Sequence, residues 1–445
     1  MARPTAAAQA VRLPQALIDQ IRPGFARFLR IEAAGGAALL LCTVAALILS
    51  NSPLGDVLAG FWDTRLELRL GSLEFGRSLK AWVNDGLMTL FFFLVALELK
   101  RELVLGEMRK PRMAVLPMAA ALGGMAVPAA IFLALQWGSS SQRGWGIAMA
   151  TDTAFVIACL ALLGPRVPQS LRIFMLTLAI VDDVGAILVV AIGYSSRIDG
   201  PLLTLAALSV VLLRFMARIG VRQFPPYVLV GCATWLAIDA AGLHATITGV
   251  ILGLMTPARR WVSDTRLYGI LRQVIAHPAG REGSGDTRDR NTLLIAELAV
   301  RESLSPLERL EMALHPWVSF GVMPLFALAN AGLQLSWEGA RQPVSLAVFL
   351  GFIVGKPAGI VLFSWLALRT GWASRAPDLG WRVLAGGSCL AGIGFTMALL
   401  IADMALSGPA LDSAKTGIFM ASLGSAVLGL GLLGWPSRQA VSPAG

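Results

Sequence analysis

Charged residues are scarce in this chain. Asp, Glu, Lys and Arg make up 14% of its 445 residues, whereas soluble globular proteins carry about a quarter. Hydrophobic residues make up 56%. This balance excludes an ordinary soluble domain and favours a polytopic helical membrane protein. The apolar runs also lack the alternation that is typical of a membrane β-barrel, so we expect an all-α fold.

Cysteine is scarce as well, and acidic residues are fewer than basic ones. The four cysteines, Cys42, Cys159, Cys232 and Cys389, all fall inside apolar segments, which excludes the disulfide framework of a secreted protein. The formal net charge is +10, a value that on its own is compatible with nucleic acid binding. Lys and Arg are instead concentrated in alternate loops, so we expect a lipid bilayer and no nucleic acid as partner.

Apolar segments predict twelve transmembrane helices, because crossing a bilayer takes about 20 apolar residues. They fall near residues 31–51, 81–99, 113–136, 146–163, 173–194, 201–216, 226–241, 243–256, 313–335, 344–368, 383–406 and 415–435. The loops on the side of the N-terminus hold most of the Lys and Arg, so the positive-inside rule places both termini in the cytoplasm. We therefore divide the chain into a cytoplasmic tail (1–30), a twelve-helix domain (31–435) and a second cytoplasmic tail (436–445).

Two loops stand out. Residues 65–79 alternate polar and apolar side chains around Gly71-Ser72, which predicts a short β-hairpin on the periplasmic side. Its free edges would allow pairing with a second copy, although a simple external cap fits the pattern equally well. The other loop, 257–312, is long and rich in arginine, and we expect most of it to be a flexible cytoplasmic excursion.

Two adjacent aspartates, Asp182 and Asp183, lie in the middle of the fifth apolar segment. A charge at this depth costs roughly 2.5–3.5 kcal/mol on insertion scales and marks a cation site, a proton relay or an internal ion pair. Neighbouring helical residues point about 100° apart, so the two carboxylates cannot share one task. Lys356, the only basic residue deep in a span, needs an anionic partner, and either aspartate can supply it.

A third aspartate, Asp152, lies in the fourth segment between Thr151 and Thr153. These residue types favour local backbone hydrogen bonds, which predicts a break in the helix. The alternative is an intact helix with a snorkelling Asp. The eleventh segment carries the glycine-rich run GGSCLAGIGFTMALL, which indicates either a second break or close helix packing.

The two interrupted segments occupy matching positions. Spans 4 and 11 are the middle members of the triplets 3–5 and 10–12, within residues 113–194 and 343–435. We expect these triplets to be inverted repeats whose broken helices cross, an arrangement that is typical of a transporter site. Asp152 would offset the positive helix ends at the crossing, and Lys356 would offset the negative ones.

A further acidic group is predicted at the cytoplasmic helix ends. It consists of Asp85, Glu98, Glu102 and Glu311, with Glu98 and Glu102 on one helix face. These residues either balance the neighbouring basic loop or form an acidic funnel that attracts cations and senses pH.

With these residues in hand, the chain resembles the NhaA family of sodium/proton antiporters from about residue 25 to 435. The resemblance rests on the following segments: FFFLVALELKREL, ATDTAF, LAIVDDVGAI, GLHATITGVI, LHPWVSFGVMPLFALANAG, VGKPAGI and GIGFTMALLI. Together they are highly specific. The resemblance implies a bacterial inner (plasma) membrane protein that works as a homodimer joined through the periplasmic hairpin.

The resemblance also implies a role for each site residue. Asp152 and Asp183 would bind the transported Na⁺ or Li⁺ and exchange protons, with Thr151 nearby. Asp182 would pair with Lys356.

The same resemblance assigns the remaining acidic residues to access and regulation. Asp85 would lie on the cytoplasmic access path. Glu98, Glu102 and Glu311 would belong to a pH-responsive cluster, and His244 would lie near the region tied to the pH response.

The function expected from these features is secondary active transport. Cytoplasmic Na⁺ or Li⁺ would be exchanged for external H⁺ by alternating access, electrogenically and under pH control, without a cofactor and without enzymatic chemistry. Two rivals remain open. A cation channel would need a filter of carbonyl or charge rings, and an intramembrane aspartyl protease would need separated aspartates with a GxGD element. The sequence shows neither feature.

Overall fold

A computed structural model describes residues 28–435, apart from 71–72, 105, 107–110, 195–198, 220, 222–223, 259–261, 276–286 and 334–336. Nearly all of the predicted N-terminal tail (1–30) and the whole C-terminal tail (436–445) therefore lie outside the described residues. The same holds for Gly71-Ser72 of the hairpin and for most of the Gly/Ser/Asp-rich stretch at 280–291.

The described part of the chain is almost entirely helical. The first half contains α1 (Phe28–Ser50), α2 (Gly55–Asp63), α3 (Met88–Val104), α4 (Pro111–Leu135), α5 (Thr153–Leu163), α6 (Gln169–Gly193), α7 (Gly200–Ile219), α8 (Phe224–Ala240) and α9 (Ile247–Met255). The second half contains α10 (Asp264–Ile275), α11 (Thr287–Glu302), α12 (Pro306–Trp317), α13 (Met323–Asn330), α14 (Trp337–Arg341), α15 (Pro343–Leu350), α16 (Lys356–Arg369), α17 (Trp381–Ala391), α18 (Phe395–Ala405) and α19 (Pro409–Gly434).

Short segments of other helical types join several of these helices. A single turn, Leu79–Ala81, and a π-helical segment, Trp82–Leu87, lead into α3. Further π-helical segments, Val318–Val322 and Gly351–Gly355, lead into α13 and α16. A 3₁₀ segment, Ser140–Met149, comes before α5. Such irregular turns within long helices frequently accompany functional sites.

Each of the twelve predicted apolar segments coincides with a helix or with a pair of helices. Seven helices of the described chain are long and apolar enough to cross a membrane, and up to nine if each of two bent pairs counts as one span. The segments at 81–99, 226–241 and 243–256 form α-helices of 17, 17 and 9 residues. The chain is thus a multi-pass helical membrane protein.

Residue 242 separates helices α8 and α9. Gly242 has φ +83°, a left-handed conformation that favours glycine. The Gly242 amide bonds the carbonyl of Asp239 at 3.0 Å, which closes the turn after α8. The chain therefore reverses within a few residues between α8 and α9.

Two strands form the one sheet of the described chain. β1 (Arg65–Leu70) pairs antiparallel with β2 (Leu73–Ser78), from Arg65 opposite Ser78 to Leu70 opposite Leu73. This register is that of a hairpin with a two-residue connection.

The loop at 257–312 differs from the expectation of a flexible excursion. Its described residues form α10 and α11, and α12 begins at Pro306. A capping box starts α12: the Ser305 side chain accepts from the Glu308 amide at 3.2 Å, and Glu308 accepts from the Ser305 amide at 2.9 Å. The low hydrophobicity of this stretch predicted a loop and concealed its helices.

The second interrupted span lies in the interior of the molecule. Every residue of α18 from Phe395 to Ala402 is buried, and so are six residues of α17. Because a helix buried on all sides must pack against protein all round, the break between α17 and α18 lies well inside the bundle.

Candidate functional site

The first break in the membrane-spanning helices lies at residues 150–152. The 3₁₀ segment ends at Met149, and α5 begins at Thr153. Asp152 is the N-cap of α5, because its carboxylate accepts a hydrogen bond from the Phe155 amide at 3.3 Å. The snorkelling alternative is wrong, since Asp152 is only 1% exposed.

The second break lies at residues 392–394, between α17 and α18, whose axes are bent by 45°. The chain approaches its neighbours closely here: a Cβ at Gly394 would lie 2.3 Å from Phe352 Cζ and 3.0 Å from the carbonyl oxygen of Ala150. The glycine-rich run thus accompanies both a helix break and close packing.

The two breaks contact each other directly. The Asp152 amide donates to the carbonyl oxygen of Ile393 at 2.7 Å, and the Thr151 hydroxyl donates to that of Ala391 at 3.0 Å. These bonds satisfy backbone groups that the breaks release, which is how irregular backbone is tolerated at membrane depth. Thr151 therefore links the two breaks, because its hydroxyl hydrogen is donated to a backbone carbonyl and not to a carboxylate.

The Asp152 carboxylate joins the starts of two helices. Besides the Phe155 amide, it accepts from the Thr396 amide at 2.9 Å and from the Thr396 hydroxyl. The amides belong to the first turns of α5 and α18, where the helix dipole places partial positive charge. Asp152 therefore lies where its negative charge can offset the positive ends of these two helices.

Asp182 and Asp183 point to different neighbours, as their positions on one helix demand. Asp183 is 4% exposed, and its Oδ2 accepts from the Thr153 hydroxyl at 3.3 Å. The carboxylates of Asp182, Asp152 and Glu98 all act electrostatically on it. Asp183 thus faces the first break.

Lys356 selects Asp182 as its partner. Its Nζ lies 2.7 Å from Asp182 Oδ2, and the two side chains are 0% and 1% exposed. Nζ also donates to the carbonyl oxygen of Met149, the last residue of the 3₁₀ segment. Lys356 therefore binds the negative end of the interrupted span while it neutralises one of the three buried aspartates.

At the opposite end of α3 from the hairpin, Arg101 pairs with two of the acidic residues. Arg101 lies 2.7 Å from the Glu311 carboxylate and 3.4 Å from that of Glu102. Glu311 is 4% exposed. The charge of Glu98 acts electrostatically on Asp183, so Glu98 links this cluster to the broken helices.

Asp85 does not belong to that group, and the expectation that it lies with Glu98 and Glu102 is wrong. It is 13 residues before Glu98, about 20 Å along the helix. It pairs with Arg77 of β2, which also pairs with Asp239 at the end of α8. A carboxylate that contacts the hairpin cannot lie on a cytoplasmic path if the hairpin is periplasmic.

His244 lies at this hairpin side too. Its Nε2 is 3.0 Å from the carbonyl oxygen of Tyr194, and it acts electrostatically on Asp85. The pairing of Asp85 with Arg77 could not be predicted from the sequence, because the contact depends on how the hairpin folds back onto the helices.

Thr153 and Thr396 also belong to the site, although Thr151 was the one threonine among the predicted site residues. Both stand next to a predicted break, in ATDTAF and GIGFTMALL, and that proximity was the available signal. Within the described residues no group of three or more His, Cys, Asp and Glu is arranged to hold a metal ion.

Comparison with known proteins shows which family the chain belongs to. Residues 26–433 match the family Na+/H+ antiporter 1. The chain is 58% identical over 421 residues to Na(+)/H(+) antiporter NhaA 2 of Acidiphilium cryptum (strain JF-5), covering 95% of this chain and 94% of that protein. It is 54% identical over 431 residues to Na(+)/H(+) antiporter NhaA of Rhizobium meliloti (strain 1021), covering 96% and 99%.

Among solved structures, the sodium proton antiporter MjNhaP1 from Methanocaldococcus jannaschii aligns with a TM-score of 0.44 and 14% identity, covering 90% of this chain and 92% of that one. Because the family match spans nearly the whole chain and the relatives exceed half identity over almost their full length, the chain belongs to the Na+/H+ antiporter 1 family.

Proposed function

We propose that this protein exchanges cytoplasmic Na⁺ or Li⁺ for external H⁺ by alternating access at a site built on Asp152 and Asp183. The names of the relatives support the exchange of Na⁺ and H⁺. The observation that carries the location is that these two carboxylates, 1% and 4% exposed, each accept a hydrogen bond from a threonine beside a helix break, Asp152 from Thr396 and Asp183 from Thr153.

Competition between ions at one site provides the coupling. Two bare carboxylates without water around them repel each other and lose hydration, so the doubly ionised, empty site is costly. Either protons or an alkali cation removes that cost. The proton-loaded and cation-loaded forms can therefore change access, while the empty form cannot, and this links the two fluxes. If more than one proton moves per cation, each net charge gains about 2.3 kcal/mol per 100 mV.

Asp182 has a different task in this mechanism. Its ion pair with Lys356 leaves Asp152 and Asp183 as the carboxylates for the cation. The Lys356 contact to Met149 ties the pair to the 3₁₀ segment, so rearrangement of the broken span and of this ion pair would be coupled. Transport by such interrupted helices is a recurrent design of secondary transporters.

The topology that suits this mechanism has twelve spans, with both termini in the cytoplasm of a bacterial cell and the β1–β2 hairpin in the periplasm. Residues 113–194 and 343–435 would form inverted repeats whose broken members cross. In this arrangement Arg101, Glu102 and Glu311 lie at the cytoplasmic end, where their charges suit a pH-responsive cluster. Two protomers would associate through the hairpins.

The rival functions have less support. Family membership favours a transporter over an enzyme. A channel would let cations pass in a single open conformation, yet the Asp152 carboxylate is closed in by the Phe155 and Thr396 amides. No observation favours either rival specifically.

Proton fluxes in inverted membrane vesicles test the proposal. Vesicles are acidified by respiration, and Na⁺, Li⁺ or K⁺ is added at several pH values. We expect Na⁺ and Li⁺ to collapse the pH gradient and K⁺ to have little effect. A cation current that persists without a pH gradient would instead identify a channel, and absence of any response to Na⁺ would overturn the proposal.

A further inference from the structure

Of the two threonines that flank Asp152, Thr153 is the one that reaches another carboxylate. Its hydroxyl donates to Asp183 Oδ2 at 3.3 Å, across from α5 to α6. The Thr151 hydroxyl is bonded to the carbonyl oxygen of Ala391 instead. The first residue of α5 therefore contacts the acidic pair that lies on a separate helix.

A threonine at a helix start normally bonds its own backbone as a cap. Here Asp152 is the cap, because its carboxylate accepts from the Phe155 amide. Local capping therefore does not explain the Thr153 side chain. Its orientation toward Asp183 needs another reason.

A hydroxyl can both donate and accept, and this property suits a site that changes charge. When Asp183 is ionised, the Thr153 hydroxyl donates to it. When Asp183 is protonated, the carboxyl can donate to Thr153. When a cation binds, the hydroxyl can turn an oxygen lone pair toward it, as hard cations prefer oxygen ligands.

The acidic side chains of the site are few, so an alkali cation bound there needs a neutral oxygen as a further ligand. Asp182 is paired with Lys356, which leaves Asp152 and Asp183 as the carboxylates for a cation, and Asp152 already accepts from the Thr396 and Phe155 amides. An alkali cation held by Asp152 and Asp183 would take its remaining ligands from neutral oxygens, which are hydroxyls, carbonyls or water. Thr153 is the hydroxyl already hydrogen-bonded to Asp183.

We propose that Thr153 sets the affinity of the site for the alkali cation by holding Asp183 Oδ2 and remaining beside it when the cation binds. It is a positioning residue, and the inference rests on the proposed exchange of Na⁺ and H⁺.

Thr153→Val tests the role, because valine keeps the shape and β-branching but lacks the hydroxyl. Its matched control is Thr177→Val, which removes a buried hydroxyl from α6 that bonds the carbonyl of Ile173 on the same helix at 2.9 Å. Thr153→Ser keeps the hydroxyl and should restore wild-type behaviour.

In proteoliposomes, we expect Thr153→Val to raise the KM for Na⁺ about fivefold, which corresponds to ~1 kcal/mol, with Vmax little changed. The KM for Li⁺ should rise by a different factor, because the smaller ion sits closer to its ligands. In detergent, Na⁺ at a concentration that stabilises the wild type should raise the Tm of Thr153→Val less, while the Tm without Na⁺ stays near wild type.

Three outcomes would overturn the inference. The first is an unchanged KM for Na⁺, and the second is a raised KM that Thr153→Ser shares. The third is a fall in the sodium-free Tm large enough for loss of stability to account for the whole change in KM. If Thr153→Val does not reach the membrane, Thr153→Ala enters the same comparison. Failure of the proposed function is distinguishable, because then the wild type itself would show no Na⁺-dependent proton release.

Discussion

At the scale of single residues, the site divides three aspartates between two tasks. Lys356 pairs with Asp182 at 2.7 Å. The other two carboxylates accept from threonine hydroxyls at the starts of α5 and α18. The division follows from geometry, because Asp182 and Asp183 differ by about 100° around α6. One therefore faces α16 and the other faces α5.

Asp183→Asn changes the charge of the exchange site while keeping its shape. The amide can still accept from Thr153, but it cannot release a proton or balance a cation. We expect Na⁺-dependent proton release in vesicles to be lost while membrane content remains at the wild-type level. Asp56→Asn, at an exposed position of α2, is the control and should transport normally. Residual exchange by Asp183→Asn above that of vesicles without the protein would contradict the assignment.

Lys356→Met removes the cation that is paired with Asp182. A buried ion pair that loses one partner costs roughly 3–5 kcal/mol, because the other charge stays buried and uncompensated. The variant should therefore have a clearly lower Tm in detergent. Adding Asp182→Asn should recover part of that loss, since the stranded charge is then gone. A single variant as stable as the wild type would mean that the pair contributes no net stability.

At the scale of elements, a polar cluster joins three helices at the hairpin side. The Lys80 Nζ lies 2.8 Å from Asp403 at the end of α18, and Asn84 Nδ2 lies 3.0 Å from the same carboxylate. Asn84 and Asn330 exchange two amide hydrogen bonds, of 2.7 and 3.2 Å. The cluster thus fixes α18 against α13 and the turn before α3.

The two parts of this cluster should differ in their contribution to stability. Lys80 and Asp403 have side chains 27% and 25% exposed, so loss of their pairing in Asp403→Asn should cost about 1 kcal/mol or less. Asn330 and Asn84 are 1% and 7% exposed, so Asn330→Ala removes the donor to the buried Asn84 Oδ1 at a cost of roughly 1–3 kcal/mol. Unfolding midpoints in detergent should therefore rank Asn330→Ala below Asp403→Asn, and the reverse order would show that the ion pair dominates.

Elements were predictable from sequence where one residue type determines local conformation. The Asp152 break followed from side chains that compete for backbone bonds. The positions of Asp85 and Thr153 did not follow, because their partners Arg77 and Asp183 are brought close only by the packing of the bundle. The helices α10 and α11 were missed because a polar amphipathic helix outside the membrane resembles a loop in composition.

At the scale of the whole molecule, the hairpin is fixed to the bundle by its second strand. Arg77 pairs with Asp85 before α3 and with Asp239 of α8, and its guanidinium carbon lies 5.6 Å from the Trp235 ring centroid. Trp235 stacks on Trp82 at 6.1 Å. The base of the hairpin therefore has a defined orientation, which association with a second copy would require.

Shortening the hairpin should separate association from transport. Replacing residues 68–75 by a two-residue Gly-Ser connection removes most of the strand edges but retains Arg77 and its pairs. If pairing of sheet edges joins two protomers, this variant should elute as a monomer when its mass is measured by light scattering in detergent. It should still exchange Na⁺ for H⁺, because Asp152, Asp183 and their threonines all belong to one chain. A shortened protein that remains dimeric would place the interface elsewhere on the bundle, and one that is monomeric and inactive would show that the exchange site depends on the second protomer.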